Sequence, residues 1–170
     1  MGEAYIVAAT RTAGGRKGGR MSGWHPTDLA GQVLNELVKR AGADPALVED
    51  VIMGCVMQVG AQSLNIGRNA VLGAGWPEEV PATTVDRQCG SSQQAVHFAA
   101  QAIMSGTQDI VIAAGVESMS HAPMGSAVGT ARDLKDPRAA AVHLHLQYPA
   151  PTDLHGQPAQ PRIQQVGVLA

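Results

Sequence analysis

The chain carries two thiols, and their surroundings differ. Cys89 lies in VDRQCGSSQQAV, where a β-branched, apolar run over 81–85 gives way to Gly90-Ser91-Ser92 and then to a stretch that reads as helix up to Ser105, stopped by Gly106. A thiol at the first turn of a helix sits among backbone N–H groups with no intrahelical acceptor, at the positive end of the macrodipole, and negative charge on sulfur is favoured there. The chemistry expected of it is nucleophilic, with a covalent intermediate on sulfur. A lone cysteine is otherwise most often a small buried hydrophobe. That plain reading is kept for Cys55, which has no helix start or basic neighbour to activate it.

The elements that must position Cys89 follow from the pattern around it. Between Gly90 and Gly106 there is no Asp, Glu, Lys or Arg, so the helix has no face designed for water and is expected at the centre of the fold, with His97 packed in the core. The apolar run at 4–9 predicts a first strand covered on both sides. The glycine-rich, basic stretch 10–26 spells neither GxGxxG nor a Walker sequence and is expected to be a solvated loop. Leu29, Val33, Leu34, Leu37, Val38 and Ala41 carry the period of an amphipathic helix over 27–41, closed by Gly42. Asp44-Pro45 predicts one helical turn over 46–49, followed by a strand at 50–56 holding Cys55 and a helix at 65–73 that Gly75-Trp76-Pro77 breaks. A last apolar strand is expected at 109–115. The order is β-α-β-α-β-α-β, which predicts an α/β fold with a largely parallel sheet, helices on both faces and right-handed crossovers.

Composition narrows the classes further. At 170 residues the chain is one domain's worth, and a net charge of -2 with a pI near 6.3 gives no electrostatic reason to expect nucleic acid. No apolar run has the length of a membrane span, and Met1-Gly2-Glu3 opens no signal peptide; Ile6 stands where N-myristoylation wants Ser or Thr. Two cysteines without a CxxC pattern fit a reducing compartment, so the expected location is the cytoplasm. The pattern changes after about residue 128: positions 129–170 hold five of the ten prolines and three of the six histidines, with no clear period before 163–169. The expectation is a domain over 1–128 and a poorly patterned tail over 129–170. His143, His145 and His155 lack further ligands at usual spacings, so no metal is expected.

Four stretches carry a resemblance. VDRQCGSSQQAV, AAGVESMSHAP, AYIVAATRTAGGRKGG and GCVMQVGAQSLNIGRNAVLGAG occur in the order found in the thiolases, and the likeness covers residues 3–126. The chain resembles the N-terminal half of that family, whose two halves form a five-layer αβαβα fold. The resemblance implies acyl transfer between a cysteine acyl-enzyme and coenzyme A or acetyl-CoA, with Cys89 as nucleophile and its backbone N–H an oxyanion donor. It implies Met119, His121 and Met124 at the acyl pocket, and Gln62, Arg68, Thr84 and Asp86 bracing the catalytic loop across a subunit interface. The expected partners are an acyl-CoA substrate and either further copies of the chain or a complementary C-terminal half; no bound cofactor, nucleic acid or membrane is expected. The base histidine of a GHP-type motif and the second cysteine of a CxGxG-type motif, which the family places downstream, do not occur in this sequence. The alternative is therefore a truncated, catalytically incomplete thiolase fragment or a non-enzymatic partner-binding remnant. A ketoacyl synthase fits VESMS less well, and a dinucleotide-binding domain fails on the absent glycine fingerprint. A half domain is also expected to expose apolar surface and self-associate.

Overall fold

A computed structural model of the chain describes residues 2–127 and the strand Gly167–Leu169. The elements are β1 (Ala8–Thr10), α1 (Pro26–Ala41), β2 (Asp50–Gly54), α2 (Ile66–Gly73), β3 (Ala82–Val85), α3 (Ser91–Ser105), β4 (Val111–Gly115) and β5 (Gly167–Leu169). They form one five-stranded sheet in the order β1-β5-β4-β2-β3. β2 is parallel to both β3 and β4, while β5 runs antiparallel to β4 and β1. The α/β class is as the sequence predicts. No helix among the described residues is long and apolar enough to cross a membrane.

The central strands show why a continuous apolar run is needed when both faces of a sheet are covered. Val51, Met53 and Cys55 point to one side with Ile112, Ala114 and Val116, and pack there with Leu34 and Leu37 of α1 and Ile66, Ala70 and Val71 of α2. Ile52, Val111 and Ala113 point to the other side, against Ala95 and Ala99 of α3. The period of two along each strand thus divides the sheet between two helical layers.

Three expectations need correction. The first strand is three residues long and at the sheet edge, paired with β5 from Ala8 onward, and Tyr5, Ile6 and Val7 before it stand 65–67% exposed because no element among the described residues packs on them. α3 is not buried all round: Ser91, Gln94, Ala95 and Ala99 face the sheet, whereas Phe98 and Met104 stand 42% and 45% exposed. The lack of charge on its outer face reflects no covering layer among the described residues. His97 lies on that exposed outer face and not in the core. The tail expectation for 129–170 concerns residues mostly outside those described; the strand at Gly167–Leu169 falls within the stretch where a period was expected.

Helix ends follow their sequence signals. Gly42 and Gly106 close α1 and α3 in the left-handed region, at φ 65° and 74°, where a side chain would be strained. Asn65 caps α2 by accepting from Arg68 N. His25 Nδ1 accepts from Thr27 N at 3.3 Å and so starts α1, a cap the sequence reading left in the loop.

Candidate functional site

β1, β2, β3 and β4 all run in one direction, so the loops that follow them gather at one edge of the sheet, where open α/β folds build their sites. After β3 the chain turns within a few residues into α3. Gly90 N donates to Arg87 O at 2.6 Å, closing the turn, and Cys89 is its corner residue at φ 62°. A non-glycine side chain in that region costs about 1–3 kcal/mol and persists where the surroundings over-determine it. Here the restraint is Ser91, 6% exposed, whose hydroxyl accepts from Arg87 N at 3.0 Å and donates to Arg87 O at 3.1 Å. Cys89 is consequently exposed at a bend, at the start of α3.

The first turn of α3 is seated on two glycines. A Cβ on Gly54, the last residue of β2, would come within 2.3 Å of Ser92 N and 2.5 Å of the Ser91 carbonyl carbon. A Cβ on Gly115, the last residue of β4, would come within 1.7 Å of Ser92 Oγ. No side chain accepts a hydrogen bond at the Gly90 cap, unlike the caps of α1 and α2. The amides of the first turn, which have no intrahelical acceptors, are left beside Cys89 without that capping partner.

Around this seat the loops are tied by a carboxylate and an amide. Glu117 Oε2 accepts from Val56 N at 2.7 Å, and Oε1 accepts from Met57 N at 3.3 Å and from Gln62 Nε2 at 2.8 Å. The Gln62 amide also donates to Met57 O at 2.7 Å and accepts from Ser118 N at 2.5 Å. Gln62 is 0% exposed, so its amide serves the chain's own loops. Cys55 lies beneath them, 1% exposed, and burial pushes its thiol up to about 12, with the Glu117 and Asp86 carboxylates adding to the rise. Such a thiol stays protonated and inert at neutral pH.

The remaining predicted residues divide into two groups. Thr84 and Arg68 tie α2 to β3: Gly67 N donates to Thr84 Oγ1 at 3.0 Å, Thr84 Oγ1 donates to Asn65 Oδ1 at 2.7 Å, and the Arg68 guanidinium donates to Val80 O and Glu78 O at 2.5 and 2.8 Å. Asp86 is exposed and accepts from Gln88 Nε2 at 3.1 and 3.0 Å. Met119 is half-buried, while His121 and Met124 are exposed in the loop after β4, where the His121 ring lies 6.1 Å from that of His25. Among the described residues no three His, Cys, Asp or Glu side chains converge as a metal site requires; His143, His145 and His155 lie outside them. The sequence reading missed Glu117 as a clamp. Its signal was a carboxylate two residues past an apolar strand, a place where strand-end amides of the next loop need acceptors.

Comparison with known proteins fits this geometry. The steroid 3-ketoacyl-CoA thiolase FadA6 of Mycobacterium tuberculosis (strain ATCC 25618 / H37Rv) is 56% identical over 128 residues, covering 75% of this chain and 31% of that protein. The β-ketoadipyl-CoA thiolase of Escherichia coli is 48% identical over 130 residues, covering 75% and 32%. The crystal structure of the Bacillus anthracis acetyl-CoA acetyltransferase superposes with a TM-score of 0.69 at 41% identity, over 72% of this chain and 31% of that one. The chain thus spans about a third of the length of the curated relatives it matches, 31% and 32% for the first two. The thiolase N-terminal domain matches residues 4–155, which carries the likeness past Ser126, where the sequence resemblance was expected to end. With that domain covering most of its length and the relatives agreeing, the chain belongs to the thiolase family.

Proposed function

We propose that the chain supplies the nucleophilic half of a thiolase-type acyl transfer on 3-ketoacyl-CoA thioesters. The observation that carries it is Cys89, exposed at the left-handed corner of a strand–turn–helix bend, next to first-turn amides that no side chain caps. In the cleavage direction the Cys89 thiolate attacks the C3 carbonyl and the C2–C3 bond breaks. Its electron pair goes to C2 of the departing acetyl-CoA, which takes up a proton. The acyl group stays on Sγ as a thioester until a coenzyme A thiolate attacks it and frees the cysteine. Run backwards, the same steps make the carbon–carbon bond. The amides at the start of α3 are suited to hold negative charge, first on sulfur and then on the carbonyl oxygen.

Both half-reactions need a base and a proton donor, and the GHP and CxGxG sequences that would bring them are absent from this chain. We infer that a complementary C-terminal half provides them, and that this chain by itself acylates without turning over. Met119, His121 and Met124 would then line the acyl side of the pocket, and Arg68, Thr84 and Asp86 the side facing a second subunit.

The test is intact-mass and peptide mass spectrometry after incubation with acetyl-CoA or acetoacetyl-CoA. The expected result is one acyl group on Cys89, none on Cys55, none in Cys89→Ala, and no measurable thiolysis of acetoacetyl-CoA. Acylation that survives Cys89→Ala would overturn the nucleophile. Steady turnover by the isolated chain would overturn the need for a second half.

A further inference from the structure

We propose that Glu117 is a positioning residue for Cys89, acting through the two strands on which the first turn of α3 rests; this rests on Cys89 being the nucleophile. Gly54 and Gly115, the residues in contact with Ser91 and Ser92, are the last of β2 and β4 and stand opposite each other in register. Val116 N donates to Gly54 O at 3.0 Å, which is the last backbone bond between these two strands. Beyond it, the ends are held together by the Glu117 carboxylate, which takes the Val56 and Met57 amides and, through Gln62, the Ser118 amide. Cys55 N donates to Val85 O at 3.0 Å, so the same stretch also fixes the end of β3 where the Cys89 turn begins. One carboxylate therefore sets the separation of three strand ends, and those ends set where the α3 amides stand relative to Sγ.

The structure supplies a matched control at the other end of the same strands. Glu49, immediately before β2, accepts from Asp109 N and from Ile110 N, which precede β4. It makes the same kind of stitch between the same two strands, but at the edge of the sheet away from Cys89. A purely structural role for Glu117 predicts equal behaviour of Glu49→Gln and Glu117→Gln.

Gln62→Met leaves the Glu117 charge in place while removing the amide that links it to Ser118, so an effect on Cys89 shared by Gln62→Met and Glu117→Gln comes from the loosened seat of α3, which disfavours the thiolate. The experiment follows iodoacetamide alkylation of Cys89 by peptide mass spectrometry from pH 5 to 10 in the full chain. It compares wild type, Glu117→Gln, Gln62→Met and Glu49→Gln, with circular dichroism to score folding. Expected for Glu117→Gln and Gln62→Met is a pH–rate profile moved upward by about half a unit or more, a roughly threefold loss of rate at neutral pH. Glu49→Gln is expected to leave the profile in place. A profile unmoved or moved downward in Glu117→Gln, or moved equally in Glu49→Gln, overturns the positioning role. Gln62→Met keeps the charge and decides the question should Glu117→Gln fail to fold. Absence of preferential Cys89 reactivity in wild type would instead count against the nucleophile itself, so the two failures are distinguishable.

Discussion

Replacing Gly54 with alanine tests whether α3 is held where Cys89 needs it. The added methyl would sit 2.3 Å from Ser92 N and 2.5 Å from the Ser91 carbonyl carbon, against about 3.4 Å for ordinary contact, so the first turn must move by about 1 Å. Overpacking costs about 1–3 kcal/mol where side chains can give way. Here the obstacle is backbone, and the loss is expected near or above about 3 kcal/mol. With an m-value of about 2 kcal/mol/M, the urea midpoint falls by about 1.5 M. Gly115→Ala provides the internal comparison, because its methyl meets Ser92 Oγ at 1.7 Å and Ser92 Cβ at 2.7 Å, both side-chain atoms. Adding Ser92→Gly removes both, leaving Gly54 O at 3.4 Å as the nearest remaining contact among those closest to the new methyl. The double variant Gly115→Ala/Ser92→Gly is expected to recover most of the loss, less the roughly 0.5–1 kcal/mol that glycine costs within a helix. Ser92→Gly cannot rescue Gly54→Ala, since Ser92 N stays in place. A Gly54→Ala midpoint within about 0.3 M of wild type, or equal rescue of both variants, would refute the seating of α3 on these strand ends.

Further expectations concern other parts of the chain. Gln62→Leu strips a fully buried amide of its three hydrogen bonds and leaves Ser118 N without that acceptor, a loss of about 2–4 kcal/mol readable by urea unfolding; a loss below about 0.5 kcal/mol would contradict it. The Asp109 and Ile110 amides hold the Glu49 carboxyl below the usual glutamate range. The stability it contributes is therefore present above the ordinary glutamate pKa and is lost as pH falls through the lowered folded value. Wild type and Glu49→Gln are expected to differ in urea midpoint at neutral pH and to converge as the pH falls through that lowered value; a gap that widens in acid would reverse the sign. Tyr5, Ile6, Val7, Phe98 and Met104 are all exposed apolar side chains, so sedimentation velocity is expected to show concentration-dependent association, and a single monomer across the range would exclude it.

Most of the elements, and the bend, were legible in the sequence alone. Apolar runs of strand length, the Leu29–Ala41 period and the glycines at 42 and 106 are local signals, and local signals survive without knowledge of neighbours. For the same reason Cys89 could be separated from Cys55: one precedes a helix, the other belongs to an apolar strand run. What the chain could not announce is which groups meet across distant turns. The Glu117 clamp joins positions 61 residues apart, and nothing in VESMS says that its carboxylate will close on Val56. The two glycines at the strand ends look like ordinary punctuation until α3 is laid against them. Tertiary structure also overruled the burial inferred from missing charge. A helix or strand with no polar side is fit to be covered, but whether anything covers it depends on what else packs there, and along α3 and residues 5–7 one side is left to water among the described residues.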